Sequence, residues 1–131
     1  MSTSTGRNTY LVEPYYILNY DSRKKDGTLP LLQIGKFCSI AINCTFIMSH
    51  HNMKWVTTTP AAQMKWHHKK GNNSSFCRGD IIIGNDVWIG ANCTILDDLT
   101  IGNDAQLASL ESLLFSDNID DFIANAYTFI I

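Results

Sequence analysis

No lysine or arginine occurs beyond Arg78, although the chain holds 10 of them; from Asp80 onward its charged residues are all acids. A net charge of -2 argues against a nucleic-acid partner, which calls for a basic face. No apolar run approaches the roughly 20 residues that cross a bilayer. No membrane segment is therefore expected. The first residues are polar and lack the apolar stretch of a secretion signal, so a cytoplasmic location is the default expectation. None of the 4 cysteines belongs to a C-x-x-C pair, so no structural zinc is expected. A disulfide framework does not suit such a chain either. The hydrophobic fraction of 45% is ordinary, and 131 residues fit one compact domain.

What the chain does have is a beat of six. Aliphatic residues recur at Ile83, Ile89, Ile95, Ile101 and Leu107, with Gly84, Gly90 and Gly102 following three of them. A small or apolar residue sits four places after each of the first four, at Val87, Cys93, Leu99 and Ala105. The same beat appears at Ile34, Ile40 and Phe46, with Gly35, Cys38 and Cys44. Neither a helix nor a simple strand alternation has that period. It predicts an all-β chain wound as a parallel β-helix, whose coils stack at about 4.8 Å and bury their apolar edges on one another. The aliphatic residues and Cys38, Cys44 and Cys93 point inward; Asn85, Asp86, Asn92 and Asn103 suit turns, where left-handed backbone is tolerated.

The repeat divides one domain into parts. Residues 1–30 are expected to cap the open end, where an uncovered coil would expose unpaired backbone. Coils are expected over 31–48 and 81–109. The phase breaks between them, so 49–80 is an inserted excursion. It carries all 4 histidines (His50, His51, His67, His68), Trp55 and Trp66, and Lys54, Lys65, Lys69, Lys70 and Arg78. That composition suits a ligand-covering arm with attraction for phosphate. Over 116–131, Ile119, Phe122, Ile123, Ala126, Tyr127 and Ile130 predict a short helix, Ser116 its cap. The apolar ending fits either a lid or truncation before a further domain.

Ile34-Gly35-Lys36-Phe37-Cys38-Ser39-Ile40 and Gly79-Asp80-Ile81-Ile82-Ile83-Gly84-Asn85-Asp86-Val87-Trp88-Ile89-Gly90 resemble coil motifs of the hexapeptide-repeat acetyltransferases. His51-Asn52-Met53-Lys54-Trp55-Val56-Thr57-Thr58-Thr59-Pro60 resembles the loop of their xenobiotic acetyltransferase branch. The resemblance implies a left-handed parallel β-helix, a homotrimer, acetyl-CoA as acetyl donor and an active site between subunits. It places the catalytic histidine on His51, with His50 as alternate. It puts the pantetheine arm beside Trp88 and along a groove of Gly90, Ala91, Ala108 and Ser109. The basic C-terminal stretch usual in the family is absent here, which leaves Lys69, Lys70 or Arg78 to hold the CoA phosphates.

A thioester is already activated, so the chemistry needs a base for the acceptor's proton and a way to hold both reactants. A histidine suits the first near neutral pH, and binding supplies the second. A coil-edge N–H can stabilise the oxyanion. Trp55 is a candidate wall for the acceptor. These residues lead to an expectation of acetyl transfer to an amino or hydroxyl group of a sugar or nucleotide-sugar, with no metal. The alternatives are a xenobiotic O-acetyltransferase of the chloramphenicol or streptogramin type and a non-catalytic trimeric scaffold. Acyl transfer through Cys77 and a zinc hydratase are rival chemistries.

Overall fold

A computed structural model describes residues 1–54, 58 and 75–107. The elements are β1 (Ser2–Thr5), β2 (Tyr10–Leu11), β3 (Tyr16–Leu18), β4 (Leu31–Ile34), β5 (Ser39–Ile40), β6 (Thr45–Ile47), β7 (His50–His51), β8 (Ser75–Phe76), β9 (Ile81–Ile83), β10 (Trp88–Ile89), β11 (Thr94–Leu96), β12 (Leu99–Ile101) and β13 (Gln106–Leu107). Among the described residues there is no helix. The helix expected over 116–131 lies outside them, as do Ala108 and Ser109.

Three parallel sheets form the faces of a triangular column: β1-β4-β9-β12, β13-β10-β5-β2 and β11-β6-β3. The chain visits them in turn, so each pass around the column is one coil of a left-handed parallel β-helix. Register follows the hexads. Ile34 pairs with Ile83, Ile40 with Ile89, and Phe46 with Ile95. An uninterrupted coil returns after 18 residues, as from Asn85 to Asn103. Across the excursion the return takes 49, from Lys36 to Asn85. The inserted arm therefore leaves the column without disturbing how its coils stack.

The expected inward residues form the core. Ile34, Ile40, Phe46, Ile83, Ile89, Ile95, Ile101 and Leu107 are buried, and Leu32 and Ile81 add a second inward position on their face. Each such side chain contributes about 1.5–3 kcal/mol through burial. Cys38, Cys44, Cys77 and Cys93 are free thiols in this core.

Residues 1–30 do not form a separate cap. Residues 2–18 are themselves the outermost coil: Ser2–Thr5 pairs with Leu31–Ile34, Leu11 with Ile40, and Ile17 with Phe46. Here the return takes 29 residues, as from Thr9 to Cys38, because a loop over 19–30 is inserted. That loop leaves the column at the same corner as the arm.

Two kinds of corner residue keep the coils in step. Asn8, Phe37, Asp86 and Asp104 occupy one corner with φ of 58°, 60°, 58° and 65°, and Asn43 and Asn92 occupy the next with 63° and 62°. Asn85 and Asn103 act differently from the expected left-handed turns. The Lys36 N–H donates to Asn85 Oδ1 at 2.9 Å, and the Asn85 N–H to Asn103 Oδ1 at 2.7 Å. Each side chain thus spans to the neighbouring coil. It lies where a Cβ on Gly35 or Gly84 would be, so those positions require glycine.

Candidate active site

The arm leaves and returns at the corner between the β11-β6-β3 face and the β1-β4-β9-β12 face. Its root is an antiparallel ribbon in which His50 pairs with Phe76 and His51 with Ser75. Successive strand residues face opposite ways, which separates the two histidines. His50 is half-buried: its Nε2–H donates to Asp97 Oδ1 at 2.6 Å, and its ring lies 5.8 Å from that of Phe76. His51 is exposed. The two rings therefore do not converge on one point, as a shared metal would require. Among the described residues no group of three or more ligating side chains is assembled.

Asp97 was not a sequence candidate, yet it organises this corner. Its carboxylate has no solvent exposure. One oxygen accepts the His50 Nε2–H, and the other accepts the Arg78 N–H at 2.7 Å. Its own N–H donates to the Ile47 carbonyl at 3.0 Å. The 49-residue return puts Asp97 directly over buried Met48, beside the arm's departure. That register is the sequence signal that could have found it.

The 19–30 loop braces the root from the other side. Asn19 Nδ2–H donates to the Met48 carbonyl at 3.1 Å, Ser22 and Ser49 hydroxyls meet at 2.6 Å, and the Cys77 N–H donates to the Arg23 carbonyl at 3.0 Å. Where the arm rejoins the column, Asp80 Oδ1 accepts the Leu31 N–H at 2.8 Å and pairs with Lys24 Nζ at 3.1 Å. Arg78 carries an exposed side chain on the same corner. Trp55, Lys69 and Lys70 lie outside the described residues.

Cys77 is a poor nucleophile here. It is buried, and that burial, together with the Asp97 carboxylate, pushes its thiol up to about 12. At neutral pH almost none of it is thiolate.

The other expected ligand contacts stand elsewhere. Trp88 projects from the β13-β10-β5-β2 face and is half-exposed. Gly90 and Ala91 follow at the next corner. The Gly90 N–H already donates to the Leu107 carbonyl at 2.6 Å, and the Gly90 carbonyl accepts the Cys44 thiol at 3.2 Å. Gly90 is itself buried and has no free N–H, and Ala91 beside it is half-buried. The face bearing Trp88 lies across the column from the corner bearing His51. The structure of one chain does not bring the two groups together.

The coil sequences match known proteins. Residues 80–109 fit the model of the bacterial transferase hexapeptide, described as six repeats. Those residues are hexapeptide repeats of the bacterial transferase type. The chain is 36% identical over 83 residues to a chloramphenicol acetyltransferase of Agrobacterium fabrum, which covers 60% of this chain and 40% of that protein. It is 39% identical over 90 residues to a probable macrolide acetyltransferase of Lysinibacillus sphaericus, covering 65% and 50%. A chloramphenicol acetyltransferase of Escherichia coli is 37% identical over 83 residues, covering 60% and 40%. These relatives connect the hexapeptide domain with the xenobiotic acetyltransferase branch. The chain spans half or less of the length of each.

Proposed function

We propose that the protein is an acetyl-CoA-dependent O-acetyltransferase whose acceptor is a hydroxyl of an antibiotic-like xenobiotic. The observation that carries this reading is the placement of His51. It is exposed on a strand whose other side is tied to the column, in a chain whose relatives are named for chloramphenicol and macrolides. Those relatives favour the xenobiotic alternative over the sugar acceptor expected first.

The residues present suit acetyl-CoA as the second substrate. Trp88 offers an exposed aromatic face, and half-buried Ala91, backed by buried Gly90, offers a narrow, side-chain-poor corner for the pantetheine arm. Exposed Lys54 and Arg78 place positive charge on the arm's root, where CoA phosphates would be attracted. In the reaction His51 removes the acceptor's hydroxyl proton as that oxygen bonds to the thioester carbonyl carbon. The C–S bond breaks, and His51 returns the proton to the departing thiolate. Holding both substrates in contact supplies much of the rest of the acceleration.

His51 and Trp88 occupy opposite sides of a chain, so this reading requires a second copy. The arm corner of one protomer faces the Trp88 side of its neighbour in a homotrimer, which is the usual assembly of such coils. The deciding experiment is acetyl-CoA consumption with chloramphenicol, a macrolide, amino sugars and nucleotide sugars as acceptors. Turnover confined to the antibiotics supports the reading; turnover confined to the sugars overturns it.

A further inference from the structure

The strongest unexplained feature is a buried carboxylate that holds both strands of the arm's root. Asp97 has no lysine or arginine side chain against it among the described residues. Its two oxygens are bonded to His50, just after the arm departs, and to the Arg78 N–H, just before it rejoins. Burying an ionised group is costly unless it is paired and hydrogen-bonded. Both bonds here close on the arm's root and neither on the column that buries the group.

We infer that Asp97 and His50 are positioning residues that aim His51. This rests on the reading of His51 as the base. His50 and His51 are consecutive on β7, so fixing the His50 ring also fixes the strand's rotation, and His51 is held on the opposite side. Phe76 packs against the His50 ring from the paired strand. The Arg78 N–H ties that strand's continuation to the same carboxylate. Without Asp97 the ribbon can turn about its length, and a displacement of about 1 Å at a reacting group costs on the order of 100-fold in rate.

The side chain that tests this is glutamine. The amide nitrogen of glutamine can take the place of imidazole Nε2 and donate to Asp97 Oδ1, but glutamine is no base at neutral pH. His50→Gln is expected to keep kcat within about threefold, and His50→Ala and Asp97→Ala to lower kcat by about 10- to 100-fold, with the KM for acetyl-CoA little changed. His51→Ala is expected to lose on the order of 100- to 10,000-fold. Full activity in His50→Ala and Asp97→Ala, with His51→Ala inactive, overturns the positioning role and leaves the base intact. An inactive His50→Gln beside an active His51→Ala makes His50 the base and overturns both.

A second readout needs no turnover. Amide hydrogen exchange at Ser75, Phe76 and Arg78 is expected to quicken at least about tenfold in His50→Ala and Asp97→Ala but not in His50→Gln, while exchange at Ile83, Ile89 and Ile95 stays slow. Unchanged exchange at the root, in variants whose coils remain protected, overturns the inference whether or not an acceptor is turned over.

Discussion

Asn103 Oδ1 accepts the Asn85 N–H at 2.7 Å directly over Gly84, in the space a Cβ on Gly84 would need. The glycine of one coil and the asparagine of the next form one fitted pair. Gly84→Ala forces the Asn103 side chain out and loses that hydrogen bond. A destabilisation of about 1–3 kcal/mol is expected, against about 1 kcal/mol for Asn103→Ala. Urea unfolding measures both. Equal stability of Gly84→Ala and the parent chain contradicts the pairing.

Phe37 holds the left-handed corner position that Asn8, Asp86 and Asp104 hold on the other coils. A bulky residue pays about 1–2 kcal/mol there, partly offset by the Arg7 guanidinium 5.5 Å over its ring. Phe37→Asn should therefore stabilise the chain by about 0.5–1 kcal/mol, and Phe37→Val, with a branched Cβ in the same backbone, should destabilise it. A lower melting temperature for Phe37→Asn contradicts this.

Burial and Asp97 hold Cys77 protonated up to about 12 in the folded protein, whereas its ordinary value is 9.0. Above pH 9 the unfolded chain sheds the Cys77 proton while the folded chain keeps it, so stability falls as pH rises. Cys77→Ala should flatten that fall between about pH 9 and 12 and leave turnover at neutral pH intact. Loss of turnover, or acetyl label retained on the parent protein, would instead favour a covalent Cys77 route.

Much of the column was legible in the sequence because one period controls it. The inward residues from Ile34 to Leu107 were readable as a core, and so was the insertion that breaks their phase. The first coil was missed for a physical reason. Thr5-Gly6, Leu11 and Ile17 keep the same six-residue phase, but a terminal coil is covered on one side only and tolerates Thr5 where later coils use isoleucine. Trp88 could be placed outward from its neighbour Val87. The division of labour between His50 and His51 could not be read, because it depends on Asp97, 47 residues away. In the sequence Asp97 is one acid among several, and the stacking register brings it over Met48.

The trimeric reading predicts complementation. His51→Ala removes the base and Ala91→Trp obstructs the groove, and each alone should be inactive. Chains unfolded and refolded together should regain activity at roughly a quarter of the sites, where an intact His51 meets an intact groove from a different copy. No recovery in refolded mixed trimers contradicts a site shared between copies.

The central claim is that exposed His51 draws the proton from an acceptor during acetyl transfer. Its most direct test is the rate of chloramphenicol acetylation from acetyl-CoA by the parent chain and by His51→Ala, both shown to be folded by their melting transitions. The account predicts steady turnover by the parent and a loss of at least about 100-fold in the variant. Equal rates in the two would contradict it.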